Sequence, residues 1–358
     1  THLASSAASD VYKRQIEKLW GVIIDLQDAF FLIPIAWYYH KYFAFTIDGR
    51  TLVFQFMPFG LSLAPWAFTR IMRPIMREIH RKGIMSFCLL DDFLLTATSP
   101  AKLTQKSKEL LDLFQDLRIE VNWRKSVLMP RQKLEYLGVT FNFANMTLSL
   151  PKEKISNILK EVHSTLQKVF CTRRELESLI GLLNFAALYL PLGRLHLLPI
   201  IQWNNAHTRA KHRDLPVTLS PLFKKLLLPW TNLSFLSQSV SMRLITPTII
   251  LMTDASKTGW GGICLPRGTS GQWPQNLKHK SMNFLELKAI QNSIHFFANK
   301  LKGKSVSLLT DNTTAAACIK KQGTLRAPGL HALTKQILLK CKRHKIQLIP
   351  KHLPGRLN

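Results

Sequence analysis

The feature that most constrains the fold is a pair of adjacent carboxylates, Asp91 and Asp92, between two apolar segments, residues 85–90 and 93–95. Two apolar segments joined by a tight acidic tip are typical of a β-hairpin. Two like charges at the tip of buried arms need a strong counter-charge, and paired carboxylates that hold divalent metals are how phosphoryl-transfer sites are built. The sequence therefore predicts a hairpin over residues 85–97 whose tip holds metal.

The overall charge indicates a polyanionic partner. The 358 residues carry a formal net charge of +28, with 46% hydrophobic residues. This length supports two or three domains with cores of their own. Such a basic excess favours nucleic acid as the partner, and the alternative is a surface that is merely basic.

Several classes of protein are disfavoured. The five cysteines are scattered without a CxxC pair, which argues against a zinc ribbon or a disulfide framework and fits a reducing compartment. We therefore expect an intracellular protein, cytoplasmic or nuclear. No apolar run approaches the roughly 18 residues of a membrane span, so no membrane partner is expected. Residues 1–16 are predicted to be a disordered or non-native lead-in.

The pattern along residues 17–145 predicts an α+β domain with an antiparallel sheet backed by helices. A strand ends at Asp25, and a hairpin with an Asp48-Gly49 turn follows. Further elements are predicted as helices over residues 65–82 and 104–117 and as one strand-like segment, with Gly138 inside it, over residues 134–143.

The remainder divides into two further regions. Residues 146–243 are basic and predicted to be an all-helical connecting region, with Trp203 and Trp230 assigned to its core. Residues 244–358 return to a strand and helix pattern. Strands are predicted to begin at residues 248 and 305 and to end in Asp254 and Asp311, with a helix over residues 284–300 between them.

Asp25 is the natural third member of the acidic tip. If its strand pairs with the hairpin, Asp25 meets Asp91 and Asp92, and three carboxylates can hold two Mg²⁺ or Mn²⁺ ions roughly 3.5–4 Å apart. The alternative for any single aspartate in a turn is a capping or turn role. Asp-Asp between two apolar arms, with a second strand-end aspartate upstream, favours the metal site.

The segments around these aspartates resemble the motifs of reverse transcriptases. Residues 25–31 resemble their motif A, 57–65 motif B, 89–92 motif C, 122–126 motif D and 136–138 motif E. Five motifs in this order are specific to reverse transcriptases. Their sequences are most similar to those of LTR-type elements of the DIRS-like group, which carry a fused ribonuclease H. Motif C usually begins with an aromatic residue, where this chain has Leu89.

The resemblance implies roles for the residues around the acidic tip. It implies that Asp28 and Ala29 offer backbone N–H groups to a dNTP triphosphate and that Phe30 excludes a ribose 2′-hydroxyl. It also implies that Phe59 and Gly60 shape the floor below the incoming base. Lys125 would protonate the pyrophosphate, and the equally weighted alternative is a solvated surface lysine. For Phe30 the alternative is an ordinary core residue.

A second acidic trio follows in the third region. Asp254 and Asp311 end predicted strands, and Glu286 lies near a helix start. Two strand-end aspartates and one helix glutamate can converge on a metal pair, and their order resembles ribonuclease H. By the same resemblance His352 is the mobile histidine that aids product release, with a solvated terminal histidine as its alternative.

These resemblances imply an RNA-directed DNA polymerase with ribonuclease H activity and two Mg²⁺ or Mn²⁺ ions in each site. The implied architecture is a reverse transcriptase palm with partial fingers over residues 17–145, a thumb and connection over 146–243, and a C-terminally truncated ribonuclease H-like mixed α/β domain over 244–358. The implied partners are RNA template, DNA primer, RNA–DNA hybrid, dNTPs and other parts of a polyprotein. The rival interpretation is an inactive retroelement remnant that only binds nucleic acid.

Overall fold

The computed structural model describes residues 19–208 and 212–354. The predicted lead-in, residues 1–16, lies outside the described residues. The chain forms two compact units. The first unit comprises the described residues up to Pro151 together with Ser241–Arg243, and the second comprises residues 152–240 and the described residues from 244 onward.

The first unit contains strands, two long helices and two 3-10 helices, Ala29–Leu32 and Trp37–Phe43. Its strands are β1 (Trp20–Asp25), β2 (Ala44–Ile47), β3 (Arg50–Val53), β4 (Ser86–Leu89), β5 (Asp92–Ala97), β6 (Val127–Arg131), β7 (Lys133–Tyr136), β8 (Val139–Asn142) and β9 (Thr147–Ser149). Its helices are α1 (Ala64–Arg81) and α2 (Pro100–Asp116). Strands β4, β5, β1 and β6 form an antiparallel sheet in that order, as the sequence predicts for this region.

Strand β1 lies at the centre of this sheet and is buried on both faces. Val22 and Ile24 point into the core formed with helices α1 and α2. On the opposite face, Gly21 lies against Leu134 and Phe143. Alternation along the strand places Asp25 on the same face as Gly21, away from the helical core. A strand covered on both faces explains why its sequence is a continuous apolar run.

Two hairpins show how turn chemistry sets the local fold. The Asp48-Gly49 turn is confirmed: both residues have positive φ, 48° and 73°, the conformation that matches the strand twist. The prediction of one strand over residues 134–143 is wrong. The chain turns at Leu137 and Gly138, where φ is 52° and 72°, so this segment is the hairpin of β7 and β8. Gly138 therefore marks a turn and not a weakened strand interior.

The second unit contains a helical part followed by a five-stranded sheet. Its helices are α3 (Lys152–Gln167), α4 (Arg173–Ala187), α5 (Gly193–Thr208), α6 (Pro221–Leu227), α7 (Leu233–Leu236), α8 (Met282–Phe296), α9 (Ala298–Leu301), α10 (Thr313–Lys320) and α11 (Pro328–Arg343), with a 3-10 helix, Leu228–Thr231. Its strands are β10 (Phe170–Thr172), β11 (Pro216–Thr218), β13 (Ile249–Ala255), β14 (Gly259–Cys264), β15 (Arg267–Gln272), β16 (Ser305–Thr310) and β17 (Gln347–His352). Strand β12 (Ser239–Ser241) lies at the division between the units.

The helical part corrects the all-helical prediction, because β10 and β11 pair as a small antiparallel ladder within it. Trp203 and Trp230 are buried, as predicted. Helix α5 packs on the C-terminal part of the unit: Leu195 joins its core, and Gln202 Nε2 donates to the Thr324 and Leu325 carbonyls at 3.0 and 3.2 Å.

The five-stranded sheet has the order β15-β14-β13-β16-β17, with β13, β16 and β17 parallel and β14 and β15 antiparallel. Because β13 and β16 are parallel neighbours, their carboxyl ends meet at one edge of the sheet. Strand β13 continues to Ala255, one residue past the predicted end, so Asp254 is its penultimate residue and pairs with Gly261. Among the described residues, no helix combines the length and apolar character needed to cross a membrane.

Gly21 should be intolerant of even one added carbon. A Cβ at this position would lie 2.5 Å from Leu134 Cδ2 and 2.7 Å from Phe143 Cε2. We expect Gly21→Ala to lower the free energy of unfolding by about 1–3 kcal/mol, the usual cost of overpacking a core. Thermal and denaturant unfolding of the full chain would measure this.

Gly181→Ala is the matched control. Gly181 lies exposed inside helix α4, and no atom lies within 4 Å of its added Cβ. This substitution should raise stability by about 0.5–1 kcal/mol, the helix-interior difference between the two residues. Equal effects of the two substitutions would contradict the packing described for β1.

Candidate active sites

The first acidic trio is assembled by backbone pairing. Asp25, the last residue of β1, lies directly opposite Asp92, the first residue of β5. Asp91 occupies the turn between β4 and β5, and its carbonyl oxygen accepts a 2.9 Å hydrogen bond from the Leu26 N–H. The predicted pairing of the upstream strand with the acidic hairpin is therefore observed. Directly opposed residues share a face of the sheet, so the Asp25 and Asp92 side chains project together.

The tip of the hairpin is conformationally strained. Leu89 pairs with Asp92, which leaves a two-residue loop, Leu90 and Asp91. Leu90 has φ 56°, a region that costs a residue with a branched side chain of order 1–3 kcal/mol. The Cys88 thiol donates to the Leu90 carbonyl oxygen at 3.1 Å, which helps to hold the loop. Burial raises the pKa of the Cys88 thiol to about 12, so this thiol stays protonated.

Polar groups beyond the trio hold its backbone in place, and the sequence reasoning did not identify them as supports. The Asp25 N–H donates to Ser126 Oγ at 3.1 Å, and the Asp25 carbonyl oxygen accepts from the Asn122 N–H at 2.8 Å. Ser126 Oγ donates in turn to the Asn122 carbonyl oxygen at 2.7 Å. On the other strand, the Tyr136 hydroxyl donates to the Asp92 carbonyl oxygen at 3.1 Å. Asn122 and Ser126 lie in the motif D segment, which was the available signal.

The electrostatics of the trio follow from this crowding. Burial, together with the neighbouring Asp91 and Asp25 carboxylates, raises the pKa of Asp92 to about 6. The Lys125 ammonium acts in the opposite sense and lowers it. Like charges held this close resist joint ionisation, so the trio is prepared for a cation. Carboxylate oxygens are the ligands that Mg²⁺ and Mn²⁺ prefer, so the chemistry of the three side chains suits such an ion. Their oxygen atoms are not, however, gathered within 4.8 Å of one another in this structure, in contrast to those of the second trio described below.

Aromatic residues from separate segments of the first unit meet around Phe30. Phe30 is half-buried and makes edge-to-face contacts with Phe59 at 5.6 Å and Phe68 at 5.8 Å between ring centroids. Phe59 is 62% exposed. Gly60 has φ 87°, and no atom lies within 4 Å of the position of a Cβ there, so its neighbourhood is open. The structure thus brings Phe30, Phe59 and Gly60 together at an accessible surface.

The backbone after β1 changes direction at Asp28. This residue is left-handed, with φ 47° and ψ 41°, and precedes the 3-10 helix that begins at Ala29. Asp28 is exposed and Ala29 is buried. Lys125 is exposed, and its N–H donates to Asn122 Oδ1 at 3.3 Å. Its effect on the pKa of Asp92 shows that its charge is felt at the trio.

The second acidic trio converges through its side chains. Oxygen atoms of Asp254, Glu286 and Asp311 all lie within 4.8 Å of one another, an arrangement that could hold a metal ion. Asp254 comes from β13, Asp311 follows the neighbouring β16, and Glu286 lies in the first part of α8. The predicted convergence of residues far apart in sequence is therefore observed.

Glu286 provides the test of whether this trio fits a metal. It is buried, and its Oε2 has no hydrogen-bond partner. Burial, together with the Asp311 and Asp254 carboxylates, raises the pKa of Glu286 to about 7. A buried carboxylate oxygen without a donor, beside two more carboxylates, matches the oxygen-rich coordination of Mg²⁺ or Mn²⁺.

The charge distribution makes the convergence more informative. Residues 244–358 contain three acidic residues against eighteen lysines and arginines, and the three acidic residues are Asp254, Glu286 and Asp311. In a region so basic, dispersed carboxylates would each find a cation at the surface. Their collection at one edge of the sheet favours a function there.

Two asparagines connect the elements of this site. Asn312 Oδ1 caps helix α10 by accepting from the Ala315 N–H at 2.8 Å, and Asn312 Nδ2 donates to Asn283 Oδ1 at 3.0 Å. The Asp-Asn-Thr sequence at the helix start was the signal for the cap. His352 is the last residue of β17 and is exposed. It pairs with Thr310, the residue that precedes Asp311 in the sequence. It is not a member of the close carboxylate group, and residues 355–358 after it lie outside the described residues.

Comparison with known proteins relates the first part of the chain to reverse transcriptases. Residues 2–141 match the family "Reverse transcriptase (RNA-dependent DNA polymerase)". Similar proteins include Protein P of duck hepatitis B virus, 26% identical over 144 residues, which cover 39% of this chain and 17% of that protein. The genome polyprotein of Petunia vein clearing virus is 24% identical over 292 residues, 76% of this chain and 12% of the polyprotein. The chain thus spans less than a fifth of the length of these relatives.

Solved structures agree with the fold of the whole chain. The foamy viral protease-reverse transcriptase in complex with double-stranded DNA aligns with a TM-score of 0.57 at 16% identity, covering 97% of this chain and 60% of that one. The same type of protein in complex with an RNA/DNA hybrid aligns at 0.55 and 16%, covering 99% and 46%. The predicted α+β architecture, a palm and a ribonuclease H-like fold, is confirmed. The chain contains a reverse transcriptase domain with retroviral and pararetroviral homologues.

Proposed function

We propose that the protein is an RNA-directed DNA polymerase of a retrotransposon that adds dNTPs to a primer 3′-hydroxyl by a two-metal reaction. The observation that carries this proposal is the direct opposition of Asp25 and Asp92 beside Asp91 at a strained hairpin tip. The motif resemblance supports an element of the DIRS-like group. Viral polyproteins among the similar proteins support a product that belongs to a longer chain.

The residues of the first site have separable roles in this proposal. A bound pair of Mg²⁺ or Mn²⁺ ions would polarise the reacting oxygens and offset the charge of the triphosphate. Asp25, Asp91 and Asp92 would hold the ions, and Ser126 and Tyr136 keep the two strand ends aligned. Backbone N–H groups of Asp28 and Ala29 would bind the triphosphate, and Phe30 would exclude a 2′-hydroxyl. Phe59 and Gly60 would receive the base, and Lys125 would give a proton to the leaving pyrophosphate.

A second activity is favoured by a specific observation, the close approach of Asp254, Glu286 and Asp311. We propose that this trio cleaves the RNA strand of RNA–DNA hybrids with metal-activated water, leaving a 3′-hydroxyl. Glu286, buried and without a donor at Oε2, would hold its ion from below while Asp254 and Asp311 reach it from the strand ends. His352 would act in product release from its position beside the end of β16.

The alternative is an inactive retroelement remnant that only binds nucleic acid. The net charge of +28 would support binding to phosphate backbones in either case. Leu89, in place of the aromatic residue that usually begins motif C, favours this alternative. The presence of all six carboxylates, three of them gathered closely enough to hold a metal ion, favours catalysis. Activity measurements with paired variants separate the two.

Primer extension tests the first activity. With an RNA template, a DNA primer, dNTPs and Mg²⁺, we expect the full chain to extend the primer. Asp91→Asn should reduce the rate by about a hundredfold or more, because a lost metal ligand removes several kcal/mol of transition-state stabilisation. Asp112→Asn, which changes an exposed carboxylate on α2, should leave the rate unchanged. If wild type and Asp91→Asn extend the primer equally, the polymerase proposal is wrong.

Hybrid cleavage tests the second activity independently. With a labelled RNA annealed to DNA, we expect Mg²⁺-dependent cleavage that Asp254→Asn lowers by about a hundredfold or more. Each active-site variant is the control for the other, since Asp91→Asn should still cleave and Asp254→Asn should still extend. Loss of both activities in either single variant would indicate a folding defect, which circular dichroism would detect. Cleavage that does not depend on Asp254 would contradict the second site.

The stability of the protein in EDTA should depend on pH through Glu286. Its pKa is raised in the folded state, so the fold holds a proton that the unfolded chain releases, and stability is lost as pH rises from about 4.5 to about 7. Glu286→Gln should therefore raise the free energy of unfolding at pH 8 by about 2 kcal/mol and change it little at pH 4.

Unfolding curves at the two pH values, with and without Mg²⁺, measure this effect. Mg²⁺ should stabilise the wild type at pH 8 and have little effect on Glu286→Gln. Glu153→Gln, an exposed carboxylate on α3, is the control and should follow the wild type. A Glu286→Gln protein with unchanged pH dependence would show that the buried carboxylate is not the source.

A further inference from the structure

An exposed aromatic surface lies on the 3-10 helix Trp37–Phe43, outside the residues used in the proposed reaction. Trp37 is 81% exposed and Tyr42 is 70% exposed, while Tyr38 and Tyr39 are each about half exposed, at 53% and 51%. We call these four side chains the aromatic helix surface. Contiguous exposed rings on this scale are unusual on a soluble protein and mark sites of interaction.

The aromatic helix surface is held in place without a partner. His40 Nε2 donates to the Ile35 carbonyl oxygen at 2.8 Å, and the Tyr39 N–H donates to the Ala36 carbonyl oxygen at 2.9 Å. Neighbouring rings contact one another, with centroid distances of 5.9 Å for Trp37–Tyr38 and 4.4 Å for Tyr38–Tyr39. A ring array that is already ordered loses little conformational entropy when a flat ligand stacks on it.

The aromatic residues continue from this helix toward the first site. Next to it lies a cavity of about 360 Å³ lined largely by aromatic residues, among them Phe43, Phe45 and Phe54. The other side of the cavity is formed by Phe31 and Phe59. Phe59 is the residue assigned above to the floor below the incoming base. The cavity and the aromatic helix surface therefore form a path of rings that continues through Phe59 to Phe30.

The charge around this path suits a polyanion. Between Ala29 and Arg77 the sequence has one acidic residue, Asp48, against five lysines and arginines. The Lys41 ammonium lies 5.1 Å from the centre of the Tyr42 ring, so cation and ring face occupy the same surface. Rings that present open faces beside cations are how proteins bind single-stranded nucleic acid, because every base has a face to stack.

We propose that the aromatic helix surface binds unpaired nucleotides of single-stranded nucleic acid by base stacking. The adjacent cavity takes one base of the strand, and the cations contact the phosphates. The additional claim that this strand is the template on its way to the catalytic carboxylates rests on the proposed polymerase function. The binding itself does not require that function.

Oligonucleotide binding tests the proposal. Fluorescence anisotropy with labelled twelve-nucleotide T and U strands, in EDTA and without dNTPs, would measure the dissociation constant of the full chain. Trp37→Ala and Tyr42→Ala should each weaken binding by roughly tenfold, and Trp37→Phe should retain most of the affinity. Because both side chains are largely exposed, the variants should unfold at the same temperature as the wild type.

Two controls separate stacking from charge. Phe296→Ala removes a ring of similar exposure, 59%, from helix α8 in the second unit and should not change the affinity. A twelve-nucleotide strand without bases should bind wild type and Trp37→Ala equally, since it offers phosphates and nothing to stack. If Trp37→Ala binds the T strand as tightly as wild type, or loses affinity for both strands alike, the stacking proposal is overturned.

The rival occupant of this surface is a second copy of the chain. Sedimentation velocity without nucleic acid would then show a wild-type dimer and a Trp37→Ala monomer, with unchanged oligonucleotide affinity, and this result would also overturn the proposal. Failure of the polymerase proposal is distinguishable. In that case primer extension is absent while Trp37-dependent binding of the oligonucleotide persists.

Discussion

The structure of the first unit depends on one unfavourable interaction, the placement of Asp25 directly opposite Asp92. Like charges in register destabilise a pair of strands, and here the pair is also partly removed from water. Apolar packing along the rest of β1 and β5 keeps the strands aligned regardless. The bonds from Ser126 to Asp25 and from Tyr136 to Asp92 hold the strand ends where repulsion would separate them. A bound cation would account for this unfavourable arrangement, because it would attract both carboxylates and offset their mutual repulsion.

The second site reaches the same electrostatic state by a different route. Its carboxylates come from two parallel strands and a helix, so no backbone ladder places them side by side. Instead the carboxyl ends of β13 and β16 meet at one edge, and α8 directs Glu286 toward that edge from the core. The Asn312–Asn283 hydrogen bond ties the helix start to the strand end. Both sites therefore store unfavourable charge, one through strand register and the other through burial.

How much of this could be predicted from the sequence differs from element to element. The acidic hairpin and its pairing with the strand of Asp25 were predictable because apolar arms and strand-end aspartates leave a recognisable pattern. The convergence of Glu286 with Asp254 and Asp311 followed from their order in the sequence, which resembles ribonuclease H. The hairpin at Leu137 and Gly138 was not, because a left-handed leucine gives no sequence signal and Gly138 alone suggests a strand irregularity. The supports from Asn122, Ser126 and Tyr136 join residues distant in sequence. The exposure of Trp37 and Tyr42 was likewise hidden, since aromatic residues in a row predict a core as readily as a surface.

The basic surface, the acidic sites and the aromatic helix surface would interact with different features of a nucleic acid. Its cations attract a nucleic acid without distinguishing paired from unpaired strands, because phosphates are alike in both. The carboxylates of the two acidic sites repel the phosphate backbone of the nucleic acid unless a bound metal ion lies between them. Exposed aromatic rings add a preference for unpaired strands, because a base must be unpaired to stack on a ring. The rings do not select a sequence, since every base can stack. A strand held only by its phosphates would slide freely, whereas stacking on Trp37 and Tyr42 would retain its unpaired bases on the protein.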